Sequence, residues 1–173
     1  MLNQPEQGEY APFYQNYVTK AIEAAQGNVL QLLTQLKDST YQFFTGIPAE
    51  KAEYAYAEGK WTIKQLLGHL IDAERVFAYR VLCFSRKEAK ELPGFDENDF
   101  VNNANFNSRT INDLAEEFKS VRQSNLYMLS ALTEEQANLT GVANGSPVSV
   151  RALAYIMAGH ELHHLQIIKE RYL

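Results

Sequence analysis

Apolar residues recur every three or four positions over four long stretches, and no stretch sustains the strict alternation of a half-buried strand. The first helix is predicted over residues 14–36, where Tyr17, Val18, Ala21, Ala25, Val29, Leu32, Leu33 and Leu36 form one stripe that Gly27 interrupts. A short helical turn is expected at 40–44, ended by Gly46 and Pro48. The second long helix opens on Thr62-Ile63-Lys64-Gln65, a hydroxyl cap followed three residues later by Gln. It is predicted over 62–85, with Ile63, Leu66, Leu67, Leu70, Phe77 and Val81 inward. The third, capped by Thr110, is predicted over 110–132 on Ile111, Leu114, Phe118, Val121, Leu129 and Leu132. Ser149 caps the fourth, predicted over 150–172.

Between the second and third helices lies a connection over 86–109 holding Pro93-Gly94 and an asparagine-rich run. Connections this long in a bundle are crossovers or shape a site. A second irregular stretch covers 141–147. The pattern predicts one all-α domain over residues 1–173, most simply a four-helix bundle, with no sheet of consequence.

Composition narrows the function. With 173 residues, 46% hydrophobic and 21% charged, the chain can bury a core without staples. A net charge of −5 argues against nucleic acid as a partner, because phosphate contacts need a basic surface. No apolar run reaches the roughly 18 residues that span a bilayer. The opening residues lack a basic, apolar leader, and the single Cys83 suits a reducing interior, so a cytoplasmic protein is expected.

The chemistry concentrates at His160-Glu161-Leu162-His163-His164, which holds three of the four histidines. Leu153, Met157, His160, His164, Ile167 and Arg171 are spaced alternately by four and three, the spacing of a core-facing seam. His160 and His164 thus stand where leucines would be expected, one above the other. Paired core histidines bonded to each other or to tyrosines are the plainer reading, but two on one apolar seam favour a divalent metal. His69 is the only histidine elsewhere, about 10 Å inside the second helix, and the His160–His164 pair lies about 15 Å from the end of the fourth. If those helices are antiparallel, the levels nearly coincide, and a three-histidine site drawn from two helices follows.

Cys83 lies about 21 Å beyond His69 along the same helix and is expected only to fill space. Asp72, three residues after His69, is a candidate to orient an imidazole, bind the metal or act on its water, and equally a solvated charge. His163, turned about 100° from His164, is a candidate for substrate contact or proton transfer, and equally for a helix–helix hydrogen bond. His160-Glu161-x-x-His164 also matches the zincin pattern. Too little chain follows for a downstream third ligand, and no strand offers a substrate edge, so a protease is rejected and Glu161 is expected at the helix surface or behind a ligand.

With these three histidines in place, the chain resembles the DinB/YfiT-like superfamily of metalloenzymes. The resemblance runs through Glu9-Tyr10-Ala11-Pro12-Phe13-Tyr14, Gly59-Lys60-Trp61-Thr62, Gly68-His69-Leu70, Phe77-Ala78-Tyr79-Arg80, Leu92-Pro93-Gly94-Phe95, Ser149-Val150-Arg151 and Ala158-Gly159-His160-Glu161-Leu162-His163-His164. It implies an up-down-down-up bundle and a divalent metal (nickel, zinc, manganese or iron) on His69, His160 and His164. It also implies either a hydrolase or a transferase using a low-molecular-weight thiol. A small-molecule substrate is expected, and a homodimer is left open. The alternative is a non-catalytic module, in which the metal staples the bundle or helps bind a stress ligand.

Overall fold

The structure is a computed structural model and describes residues 2–173. Helices α1 (Gln15–Ala25), α2 (Val29–Thr45), α3 (Ile63–Ser85), α5 (Ile111–Ser130) and α7 (Val150–Arg171) build a four-helix bundle in which α1 and α2 together form the first, bent member. Short helices α4 (Glu97–Asn103) and α6 (Glu134–Ala137) and a hairpin, β1 (Thr140–Ala143) with β2 (Ser146–Ser149), complete it.

Three of the four long predictions stand to within two residues, and local caps explain why. Thr62 Oγ1 accepts from the Gln65 amide at 3.1 Å while Gln65 Oε1 accepts from the Thr62 amide at 2.9 Å, which fixes the start of α3. Thr110 and Ser149 cap α5 and α7 in the same way, each accepting from a backbone amide three residues on. The first prediction needs correction. Gln26 and Gly27 both take left-handed backbone angles, which end α1, and Asn28 Oδ1 then accepts from Gln31 to start α2. The turn expected at 40–44 is the end of α2.

The stretch over 141–147 is also more regular than expected. Asn144-Gly145, both at positive φ, form a two-residue turn that lets the strands pair antiparallel from Ala143↔Ser146 to Thr140↔Ser149. Leu92 joins that hairpin: its amide donates to Val142 O at 2.9 Å, and its carbonyl accepts from Asn144 N at 3.0 Å. The long connection and the hairpin therefore form one wall.

Side-chain pairs give the helix directions. Tyr172 Oη donates to Trp61 O at 2.8 Å and His69 faces His160, so α3 and α7 run in opposite senses. Lys64 Nζ donates to the Arg109 carbonyl and Arg75 pairs with Glu117, so α3 and α5 run in the same sense. Lys37 meets Gln123 and Asp38 meets Lys119, which sets α2 against α5. Lys20 and Gln166, joined at 2.6 Å, lie along α1 and α7 running together, since Glu9 before α1 meets Arg151 at the start of α7.

Helix α7 is the central element, with every residue from 152 to 161 buried. Gly159 is what lets α1 lie against it, because a Cβ there would overlap the Tyr17 carbonyl, a backbone atom with no freedom to turn aside. Gly159→Ala should cost at least about 1–3 kcal/mol of unfolding free energy by urea titration. A loss below about 0.5 kcal/mol would show that α1 yields freely.

Candidate metal centre

α3 and α7 carry three imidazoles to one point. His69 and His160 are buried and His164 is half-buried. The Nε2 atoms of His69 and His160 are 3.0 Å apart, and those of His164 and His160 are 3.1 Å apart. One ligand nitrogen from each residue lies within 4.8 Å of the other two. Trp61 packs 4.8 Å from the His69 ring, centroid to centroid, and Phe77 and Tyr17 present their rings at right angles to His160.

Hydrogen bonding does not account for this cluster. A neutral imidazole nitrogen holds either one proton or one lone pair, so His160 Nε2 cannot make a good hydrogen bond to both neighbours at once. His164 Nδ1 is buried without any partner. Three converging imidazoles are a donor set suited to zinc, nickel, iron or copper rather than to calcium or magnesium. The residues therefore fit a divalent cation of that group.

The histidines are held neutral. Burial lowers His69 to about 4. Burial, with His69 and His163 alongside, lowers His164 to about 3. Burial pushes His160 well below the usual range, and His164 and His69 add to it. Their lone pairs are thus available at neutral pH. The sign of the linkage is that the unfolded chain, with histidines near 6.5, binds protons before the folded one does. Stability should be full above about 6.5 and fall as pH drops towards 4, by several kcal/mol in the metal-free protein. Urea midpoints at pH 7.5 and 5.0 test this, and equal midpoints would contradict the buried, neutral assignment.

Glu161 is not at the helix surface. One residue past His160 it turns about 100° away, into the core between α2 and α5. There Arg122 Nη1 lies 2.8 Å from Glu161 Oε2, Thr40 Oγ1 donates to Glu161 Oε1 at 2.5 Å, and Arg122 makes a two-pronged contact with Glu74 at 2.6 and 2.9 Å. All three charged residues are buried. Burial raises the Glu161 pKa while Arg122 opposes it. Glu161 is thus committed to the core and does not face the histidine cluster.

Asp72 lies 3.9 Å from Arg75 with Glu117 nearby, and burial raises its pKa. It is not brought to the three histidines. His163 sits beside Tyr17, ring centroids 5.3 Å apart, half-buried, with its pKa lowered by burial and Lys20. Cys83 is half-buried rather than fully enclosed.

The cluster lines a cavity of about 370 Å³. One face of α3 lines it with His69, Ala73, Phe77 and Arg80, and Tyr14 and Tyr17 line it as well. Residues 94, 95 and 97 of the long connection and Asn144 at the hairpin tip line it too. The connection over 86–109, expected from its length to be a crossover or to shape a site, does line the cavity, whereas Tyr14, Tyr17 and Arg80 were not foreseen there. The four-four-three spacing of His69, Ala73, Phe77 and Arg80 was the available signal.

A family model described as the DinB superfamily matches residues 21–168. The chain is 28% identical over 122 residues to a protein of Oceanobacillus iheyensis that carries the provisional name of a metal-dependent hydrolase, covering 69% of each. Among solved structures it is similar to YfiT of Bacillus subtilis, described as a probable metal-dependent hydrolase with an unusual four-helix bundle topology. That match has a TM-score of 0.72 at 17% identity and covers 82% of each chain. A DinB-like protein of Bacillus subtilis, YjoA, matches with a TM-score of 0.58 at 22% identity, over 82% of this chain and 87% of that one. At these identities the two structures establish the fold alone.

Proposed function

From the premise that this chain belongs to the DinB superfamily, we propose that it is a divalent-metal-dependent enzyme acting on a small molecule, with hydrolysis as the leading reaction class. The observation that carries this reading is the convergence of three neutral imidazoles in the wall of a cavity. His69, His160 and His164 would hold the cation. Bound there, it would lower the pKa of a water or thiol that it holds, which is the chemistry such a site supplies.

The remaining residues bind and orient. Burial raises the pKa of Tyr14 and of Tyr17, so both phenols keep their protons at neutral pH and act as hydrogen-bond donors at the cavity wall. Trp61, Phe77 and Phe95 exclude water from one side. The name of the metal-dependent hydrolase relative lends support to hydrolysis. Transfer of a low-molecular-weight thiol is the second reading. It is favoured by a smaller cavity of about 220 Å³ that shares Trp61 and His164 with the first, so that two reactants could reach one centre from two sides. Neither Asp72 nor His163 lines these cavities, and neither enters the proposal. A purely structural metal is disfavoured, since a staple is closed by four protein ligands whereas three converge here.

The test is to load the protein with Co²⁺ and follow its visible spectrum while adding a simple thiol, beside an assay for release from activated esters and amides. An exchangeable position predicts one equivalent of cobalt and a thiol-dependent spectral change. Ester or amide turnover that vanishes on chelation supports hydrolysis. Failure to take up a stoichiometric metal, or a spectrum indifferent to every added ligand, would refute the enzyme.

A further inference from the structure

Two arginines of this chain are almost wholly buried, and they are treated differently. Arg122 has two carboxylates, Glu74 and Glu161. Arg80 is only 3% exposed, yet no carboxylate among the described residues lies within ion-pair distance of it. A buried charge without a counter-charge is costly, and the chain has 21 acidic residues against 16 basic ones from which a partner could have been drawn. Instead, one Arg80 N–H is used on Pro93 O at 3.1 Å, and Arg80 lines the same cavity as Tyr14. The Tyr14 hydroxyl, also at the cavity wall, can donate to a ligand there. Glu97 is the one carboxylate lining that cavity, and it is solvent-exposed in α4.

Arg80 and the histidines line the same cavity. Phe77 neighbours both, its ring 6.0 Å from the Arg80 guanidinium carbon and 5.6 Å from the His160 ring, so Arg80 and His160 are within about 12 Å of each other. Ala73, a small side chain on the same α3 face, leaves the path between them open.

We propose that this cavity takes an elongated small molecule with a carboxylate at one end, which docks on Arg80 and Tyr14 while the other end faces the three histidines. The second half rests on the proposed metal site; the first half does not. Arg80 is a specificity-determining residue, and the ligand's carboxylate supplies the counter-charge that the fold withholds.

Trp61 is the only tryptophan and lines the cavity, so its fluorescence reads occupancy without any metal. In the metal-free protein, glutarate should bind roughly 10–100-fold more tightly than glutaramide, the worth of a hydrogen-bonded charge. In zinc-loaded protein the same preference should appear for 6-mercaptohexanoate over its amide. Arg80→Met should bring both ratios close to one, and Arg80→Lys should retain part of them, with circular dichroism checking the helices. A wild-type ratio near one in the metal-free protein overturns the proposal, and so does an Arg80→Met protein that keeps the wild-type preference. Should Arg80→Met fail to fold, the wild-type ratio and Arg80→Lys decide. Loss of zinc binding with an intact glutarate preference would sink the metal reading alone.

Discussion

Arg122→Ala should lower the unfolding free energy by about 3–5 kcal/mol, a large share of what a domain this size possesses. The side chain is fully buried and holds Glu74 through two contacts and Glu161 through one. Removing it leaves two carboxylates facing each other in a dry core, with only Thr40 and Asn125 donating to them. Their repulsion and desolvation, more than the lost attraction, set the size of the effect. Replacing all three residues together by apolar side chains of similar volume should therefore restore much of the stability. Urea denaturation of the single and triple variants decides it. A single variant within 1 kcal/mol of wild type would mean that water enters to solvate the pair.

The second large effect concerns the histidines. His160 is the only one of the three whose Nε2 meets both others, so His160→Ala should weaken Zn²⁺ binding by at least 100-fold, beyond the roughly 10–100-fold lost with a mere supporting hydrogen bond. Equilibrium dialysis with metal analysis reads this, and unchanged far-ultraviolet circular dichroism is expected alongside. Retention of one tightly held zinc per chain would show that the cation binds elsewhere.

Much of the bundle was legible because it is written locally. The start of α3 follows from a hydroxyl and an amide three residues apart, whatever the rest of the chain does. His69, His160 and His164 were legible because polar residues on an apolar seam need a reason. The break between α1 and α2 was visible only as a glycine whose consequence depends on how α1 lies against α7. Glu161 was expected at the helix surface or behind a ligand, and its place in the core was not legible since its partner, Arg122, is 39 positions away and announces itself by no spacing. A cue was nevertheless present: no charged residue occurs from Ala152 to His160, which is how a helix buried all round reads. The hairpin was missed by reading Asn144-Gly145 as generic irregularity when that dipeptide favours a two-residue turn. Arg80 was passed over because unpaired burial is a property of packing, invisible before the neighbours are known.

The wall that joins Leu92 to the Asn144 turn separates two tasks that many proteins entangle. The imidazoles are fixed by rigid α3 and α7, whereas residues 94–97 and 144 are attached to them through a few backbone hydrogen bonds and little core. Such a wall can diverge in length and chemistry at small cost to folding. The lineage could thus try new substrates by editing a loop while inheriting its reactive centre intact, and an engineer could do the same by grafting.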